Sequence, residues 1–123
     1  MIPRVFCSLI ANQKRCSAAT LHGYKRTRIQ GADYPAIKPS EGGLVSGMVW
    51  HDINADEFDV LDQFESIEYS RQSVEVELDQ DQTVECKTYV YRPEFYHCLI
   101  DEPWSLEEFE RFHLASFLNR HQL

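Results

Sequence analysis

The sequence predicts an α+β domain: a small, mostly antiparallel sheet, curved or partly closed into a barrel, with helices between and after its strands. Three observations carry that expectation. Two stretches alternate with period two. In residues 72–78, Val74, Val76 and Leu78 alternate with Glu75 and Glu77; in residues 83–91, Val84, Cys86, Thr88 and Val90 face one way and Glu85, Lys87, Tyr89 and Tyr91 the other. Two further stretches open with helix-start signals ahead of apolar residues at helical spacing, Asn54 with Glu57 and Ser105 with Glu108. The strand-like stretches are joined by short Gly- and Asp-containing turns, which suit antiparallel neighbours. At 123 residues, 43% hydrophobic, residues 1–123 read as one domain large enough to bury a core.

In chain order, residues 2–12 place Val5, Leu9 and Ile10 at helical spacing, with Pro3 tolerable in a first turn, and read as a short helix. Residues 19–29 are β-prone and residues 30–33 turn them. Residues 34–39 are extended, because Pro35 and Pro39 each restrict the residue before them. Ser40-Glu41-Gly42-Gly43 reads as a turn and residues 44–50 as a strand, with Gly47 marking a bulge or a close backbone approach. A helix starts at Asn54, with Ile53 and Phe58 as a hydrophobic staple and Glu57, Val60, Leu61 and Phe64 on one face. The two alternating strands follow, joined by a hairpin loop at 79–82. Residues 92–103 read as a loop. The last helix opens on Ser105-Leu106-Glu107-Glu108, a full capping box, with Trp104 stapled onto Phe109 and Phe109, Phe112, His113, Ser116 and Phe117 facing inward.

Composition excludes several classes of function. The net charge of −8 argues against nucleic-acid binding. Apolar runs are too short to span a membrane, and the first residues form no signal peptide. Cys7, Cys16, Cys86 and Cys98 are dispersed, so they read as reduced, mostly buried thiols of an intracellular, cytoplasmic protein. The five histidines do not pair with them at zinc-ligand spacing, so no metal site is expected. Charge is uneven: residues 1–38 carry most of the Lys and Arg and one acid, Asp33. Either the basic and acidic parts face each other across the fold, or Lys25, Arg26 or Arg28 holds an anionic group of a small substrate.

One acid stands out. Glu65 falls where the helix beginning at Asn54 runs out, beside Leu61 and Phe64. A carboxylate at a helix C-terminus gains nothing from the dipole, and burial there would raise its pKa into the range suited to proton transfer near neutral pH. The alternative is a solvated glutamate in a surface turn. His113 has the same two readings, a packed, hydrogen-bonded histidine or a catalytic one.

Taken together, Leu21-His22-Gly23-Tyr24-Lys25-Arg26, Gly31-Ala32-Asp33-Tyr34-Pro35-Ala36-Ile37, Val45-Ser46-Gly47-Met48-Val49, Leu61-Asp62-Gln63-Phe64-Glu65-Ser66-Ile67-Glu68-Tyr69-Ser70-Arg71, Thr88-Tyr89-Val90-Tyr91 and Trp104-Ser105-Leu106-Glu107-Glu108-Phe109 with His113 resemble the γ-glutamylcyclotransferase-like superfamily, nearest its plant avirulence-induced-gene branch. They run in that family's order over roughly residues 2–118. The resemblance implies a small β-barrel with flanking helices and an acyltransferase that needs no cofactor. In it Glu65 is the catalytic acid/base, cyclising a γ-glutamyl amine or peptide to 5-oxoproline, with Tyr34 and Tyr69 as substrate-binding walls or donors or, equally, as packing tyrosines. The stretch 92–103, with Phe95, Tyr96 and His97, would form the pocket rim. The family's first strand ends in a Tyr-Gly-Ser/Thr-Leu turn that has no counterpart here: Phe6-Cys7-Ser8-Leu9 has Cys in place of Gly. The better register sets residues 2–5 on the helix after that turn, so the resemblance implies a chain lacking its first strand. Its exposed sheet edge would offer a route to a homodimer. An alternative expectation is a catalytically impaired relative acting as a metabolite-binding or protein-interaction domain.

Overall fold

The computed structural model describes Phe6, Leu9, Ile10 and residues 14–121. Among these described residues the strands are β1 (Cys16–Ile29), β2 (Pro35–Trp50), β3 (Tyr69–Leu78), β4 (Thr83–Tyr91) and β5 (Leu99–Pro103), and the helices described from end to end are α1 (Ala55–Glu65), α2 (Leu106–Phe112) and α3 (Leu114–Arg120). They form one sheet in the order β2-β1-β3-β4, with β5 also on β1, and every pairing is antiparallel. The α+β expectation holds. The sheet is open and not a closed barrel, because no ladder joins its edge strands β2 and β4 among the described residues. The expectation of a missing first strand, and most of the helix read over residues 2–12, fall outside the described residues. Phe6 and Leu9 are helical, and Phe6 and Ile10 are buried.

β1 is the spine. Its first half pairs with β3 at Ala19↔Leu78 and Thr20↔Glu77, its second half with β5 at Thr27–Ile29, and β2 runs along it throughout. The turn expected at residues 40–43 is instead a bulge inside one long β2. His22 faces Leu44 and Tyr24 faces Pro39, so residues 40–43 bow out opposite Gly23. Gly43 is required there, since a Cβ would sit 2.4 Å from the Tyr24 backbone oxygen. Gly47, expected at a bulge, pairs in register with Ala19 and has open space where a Cβ would go. The bulge folds the ribbon back on itself. Arg26 lies six residues beyond Thr20, about 20 Å along a straight strand, yet its Nη1 is 3.5 Å from the carbonyl of Ser46, which faces Thr20.

The β3–β4 hairpin follows its alternation: Val74 and Val76 are buried, Glu75 and Glu77 exposed, and a 3-10 turn at Asp79–Asp81 closes it. At the far end of β4 both faces are covered, because Val90 and Tyr91 are each buried. The segment expected to be a loop after Tyr91 holds a 3-10 turn (Pro93–Cys98) and the strand β5. Its five residues carry no alternation and owe their strand form to β1.

α1 starts as expected, with a reciprocal capping box in which Glu57 N–H donates to Asn54 Oδ1 (2.8 Å) and Asn54 N–H to Glu57 Oε1 (3.0 Å). Ile53 and Phe58 pack on the cluster of Phe6, Ile10 and Leu61, although Val60, assigned to the same face, is exposed. At the C-terminal end Ser105 Oγ accepts from Glu108 N–H, and Trp104 packs on Phe109 with ring centroids 5.6 Å apart. The last helix breaks at His113 (φ −126°) into α2 and α3. The break takes the expected inner face out of line: Phe109 and Phe117 are buried, whereas Phe112 is 63% exposed and Ser116 is exposed. The cysteines are free, but Cys16 is exposed and Cys86 and Cys98 only half-buried, so the expected burial is not met; Cys7 lies outside the described residues. Among the described residues no helix is long and apolar enough to cross a membrane.

Candidate active site

α1 delivers Glu65 as its last residue. Leu61 is buried in the Phe6–Ile10 cluster and Phe64 packs on Phe109 and Phe117, so two anchors on successive turns fix the helix end. Ser66 then takes φ +74°, ψ −171°, a region L side chains rarely adopt, while its N–H donates to Asp62 O (3.1 Å). That sharp exit leads straight into β3 at Tyr69, whose hydroxyl donates to Pro35 O at 2.9 Å. Pro35 begins β2 and follows Tyr34. The turn after α1, the start of β2 and the start of β3 therefore bring Glu65, Tyr34 and Tyr69 to one cleft of about 1120 Å³, lined also by Leu21, Val74 and Val76 of the sheet.

Glu65 has no ion-pair or hydrogen-bond partner among the described residues. Removal from water pushes its carboxyl up from 4.5 to about 7. The phenol of Tyr69 is likewise raised, first by burial and then by the charge of Glu65; that of Tyr34 is raised by burial, with Glu68 next and Arg120 opposing. Burial also raises Tyr91, to about 12. Tyr69 commits its proton to Pro35 and stands edge-on to Tyr91, so it forms a wall of the cleft with an oxygen left to accept. The Tyr34 hydroxyl makes no hydrogen bond to another described residue, and its ring meets Phe117 edge-on at 5.9 Å.

Residues to which sequence reasoning gave no part in the site complete the cleft. Tyr89 lines it and donates to Asp62 Oδ1, while Arg71 Nη1 lies 3.2 Å from the other carboxylate oxygen, Asp62 Oδ2. Phe117 and His121 of the C-terminal segment close over Phe64, with centroids 6.0 and 5.3 Å from its ring. The signal for Tyr89 was in the β4 alternation, which sets it opposite Val90; nothing local marks His121. His113 does not line the cleft. Its Nδ1 sits 3.5 Å from Asp33 Oδ1, half exposed, beside the Arg120–Asp33 pair at 2.7 Å. The rim expected from residues 92–103 is also elsewhere: Phe95 and Tyr96 pack on Ile29, Ala36 and Tyr91, and His97 is exposed. No group of three or more potential metal ligands clusters among the described residues.

A family model for "Gamma-glutamyl cyclotransferase, AIG2-like" matches residues 4–110. The chain belongs to that family. Its AIG2-like relatives in Arabidopsis thaliana include AIG2-like protein D, 39% identical over 108 residues that cover 83% of this chain and 68% of that one. AIG2-like protein C is 37% identical over 113 residues, covering 86% and 66%. The matches thus span about two thirds of the length of these curated relatives. The solution structure of an Arabidopsis thaliana protein superposes with a TM-score of 0.68 at 30% identity, covering 98% of this chain and 73% of that one. A solved gamma-glutamyl cyclotransferase superposes with a TM-score of 0.65 over 98% of this chain and 80% of its own, at 14% identity, which speaks for the fold.

Proposed function

We propose that this AIG2-like chain is an acyltransferase that cyclises a γ-glutamyl amine or peptide to 5-oxoproline and releases the amine, with Glu65 as general acid/base. The observation that carries the reading is a desolvated carboxyl, without a cation partner among the described residues, lining a cleft of about 1120 Å³ that Tyr34 and Tyr69 also line. The substrate's α-ammonium gives a proton to Glu65, and the freed amine attacks its own γ-carbonyl carbon. The carbon–nitrogen bond to the departing amine then breaks as Glu65 returns the proton to that nitrogen. The attacking nitrogen sheds its second proton to Glu65, by then ionised again, and on to the departing amine, which leaves as an ammonium while the ring keeps one lactam N–H. Nucleophile and electrophile share one molecule, so proximity is built in, and the protein's part is a proton relay matched to neutral pH. Tyr34, with its uncommitted hydroxyl, and Tyr69, as a wall, are the proposed substrate contacts.

The test is release of 5-oxoproline from a panel of γ-glutamyl amines and γ-glutamyl amino acids. Wild-type protein turns over at least one, and Glu65→Gln lowers the rate by about 100-fold or more. Equal rates for the two proteins would remove Glu65 from the chemistry.

A further inference from the structure

β1 carries three cations within four residues, and two of them are already neutralised. Lys25 Nζ sits 3.1 Å from Asp101 Oδ1 and Arg28 Nη1 2.8 Å from Glu102 Oε2, both acids belonging to β5. Arg26, between them, has no carboxylate partner among the described residues and lines the same cleft as Glu65. Its guanidinium lies 5.2 Å from the centroid of the Trp104 ring. Trp104 is itself tied down, because its Nε1–H donates to Asp33 O at 2.7 Å. Among the described residues the only polar contact of the guanidinium is the Ser46 carbonyl at 3.5 Å, too long to satisfy a five-donor group.

A guanidinium stacked on an aromatic face keeps the edges of its fork free, and that fork matches a carboxylate with two parallel hydrogen bonds. Burial lowers the Arg26 pKa, yet arginine stays charged at any physiological pH, so the group is a fixed, partly desolvated cation in a chain of net charge −8. We infer that Arg26 is the carboxylate-binding group of the cleft, clamping a carboxylate of the substrate while Trp104 holds its plane. The identity of the ligand rests on the cyclotransferase reading; the anion site does not. A γ-glutamyl amine offers one carboxylate, on the glutamyl carbon that bears the reacting amine. A γ-glutamyl amino acid offers a second, on the departing side.

The experiment measures binding in Glu65→Gln protein, where turnover does not interfere, for γ-glutamylethylamine, γ-glutamylalanine and glutarate. Arg26→Gln is expected to weaken binding about 10- to 100-fold, the worth of a charge-assisted pair. Arg26→Lys, which keeps the stem against Trp104 and the charge but not the fork, regains part of it, and Lys25→Gln changes nothing. Loss on both γ-glutamyl ligands assigns the glutamyl carboxylate, and loss on γ-glutamylalanine alone assigns the departing one. Glutarate separates this inference from the reading it rests on. Saturable glutarate binding that Arg26→Gln abolishes, with neither γ-glutamyl ligand bound, keeps the anion site and discards the cyclotransferase substrate. Affinities within twofold of the parent in Arg26→Gln, at an unchanged melting temperature, overturn the inference, as does absence of binding by all three probes. Should Arg26→Gln fail to fold, the Arg26→Lys affinities decide: values equal to the parent's for every probe also overturn it.

Discussion

Replacing Glu65 by Gln is expected to make the protein more stable at alkaline pH while removing its activity. In the folded chain the Glu65 carboxyl titrates near 7 against an ordinary 4.5, because its charged form is cut off from water. The sign follows from proton counting: between pH 4.5 and 7 the native state holds a proton that the unfolded chain has released, so stability falls as pH rises through that window. Above about pH 7 both states are ionised and the loss is complete. At about 1.4 kcal/mol per pH unit the ceiling is about 3 kcal/mol, and the residual solvent contact of Glu65 brings it to about 1–2 kcal/mol. The amide of Gln has the same shape and carries no charge, so it avoids this cost at every pH. Thermal unfolding of the two proteins from pH 4.5 to 8.5 is the assay. The melting temperatures should coincide at the acid end and diverge by about 3–8 °C above pH 7, with Gln the higher. A difference that does not change with pH, or a less stable Gln variant at pH 8, would refute the desolvated carboxylate.

Two further expectations concern the backbone that shapes the site. Gly43→Ala forces a Cβ to within 2.4 Å of the Tyr24 backbone oxygen and 3.0 Å of the Ser40 oxygen, neither of which can swing aside. The melting temperature should fall by about 5–15 °C, for a cost of about 1–3 kcal/mol, and an unchanged value would mean that the β1–β2 bulge is not packed as described. Ser66→Gly relieves φ +74°, ψ −171° at the exit of α1. Relief of about 1–3 kcal/mol, partly offset by the freedom glycine adds to the unfolded chain, should raise the melting temperature by a few degrees; a fall would refute the strain.

Much of the frame could be read from local pattern. The alternation of Val74 and Val76 with Glu75 and Glu77 became one buried and one wet face, and the Asn54–Glu57 box caps α1 on both sides. What local pattern missed depends on partners distant in sequence. Glycine at positive φ serves a tight turn and a bulge equally well, so Gly42-Gly43 resembles a turn until Tyr24 and His22 of β1 set the register. β5 is a strand because Thr27–Ile29 of β1 offer it an edge, and Phe112 is exposed because the helix breaks one residue later. The position of Glu65 was visible in the chain, yet its desolvation was not, since the walls that shut out water come from Tyr34, Tyr69 and the C-terminal Phe117. For the three cations of β1 the sequence left both readings open, and the fold divides them: Lys25 and Arg28 pair across to β5, and Arg26 faces the cleft.

The pH dependence of 5-oxoproline release tests the role of Glu65 most directly. With a γ-glutamyl substrate that turns over, kcat/KM should rise about tenfold per pH unit on the acid side, bend near pH 7 and level off above it, and Glu65→Gln should abolish the whole profile. A bend near 4.5, or a profile that survives in Glu65→Gln, would contradict a desolvated glutamate as the proton relay.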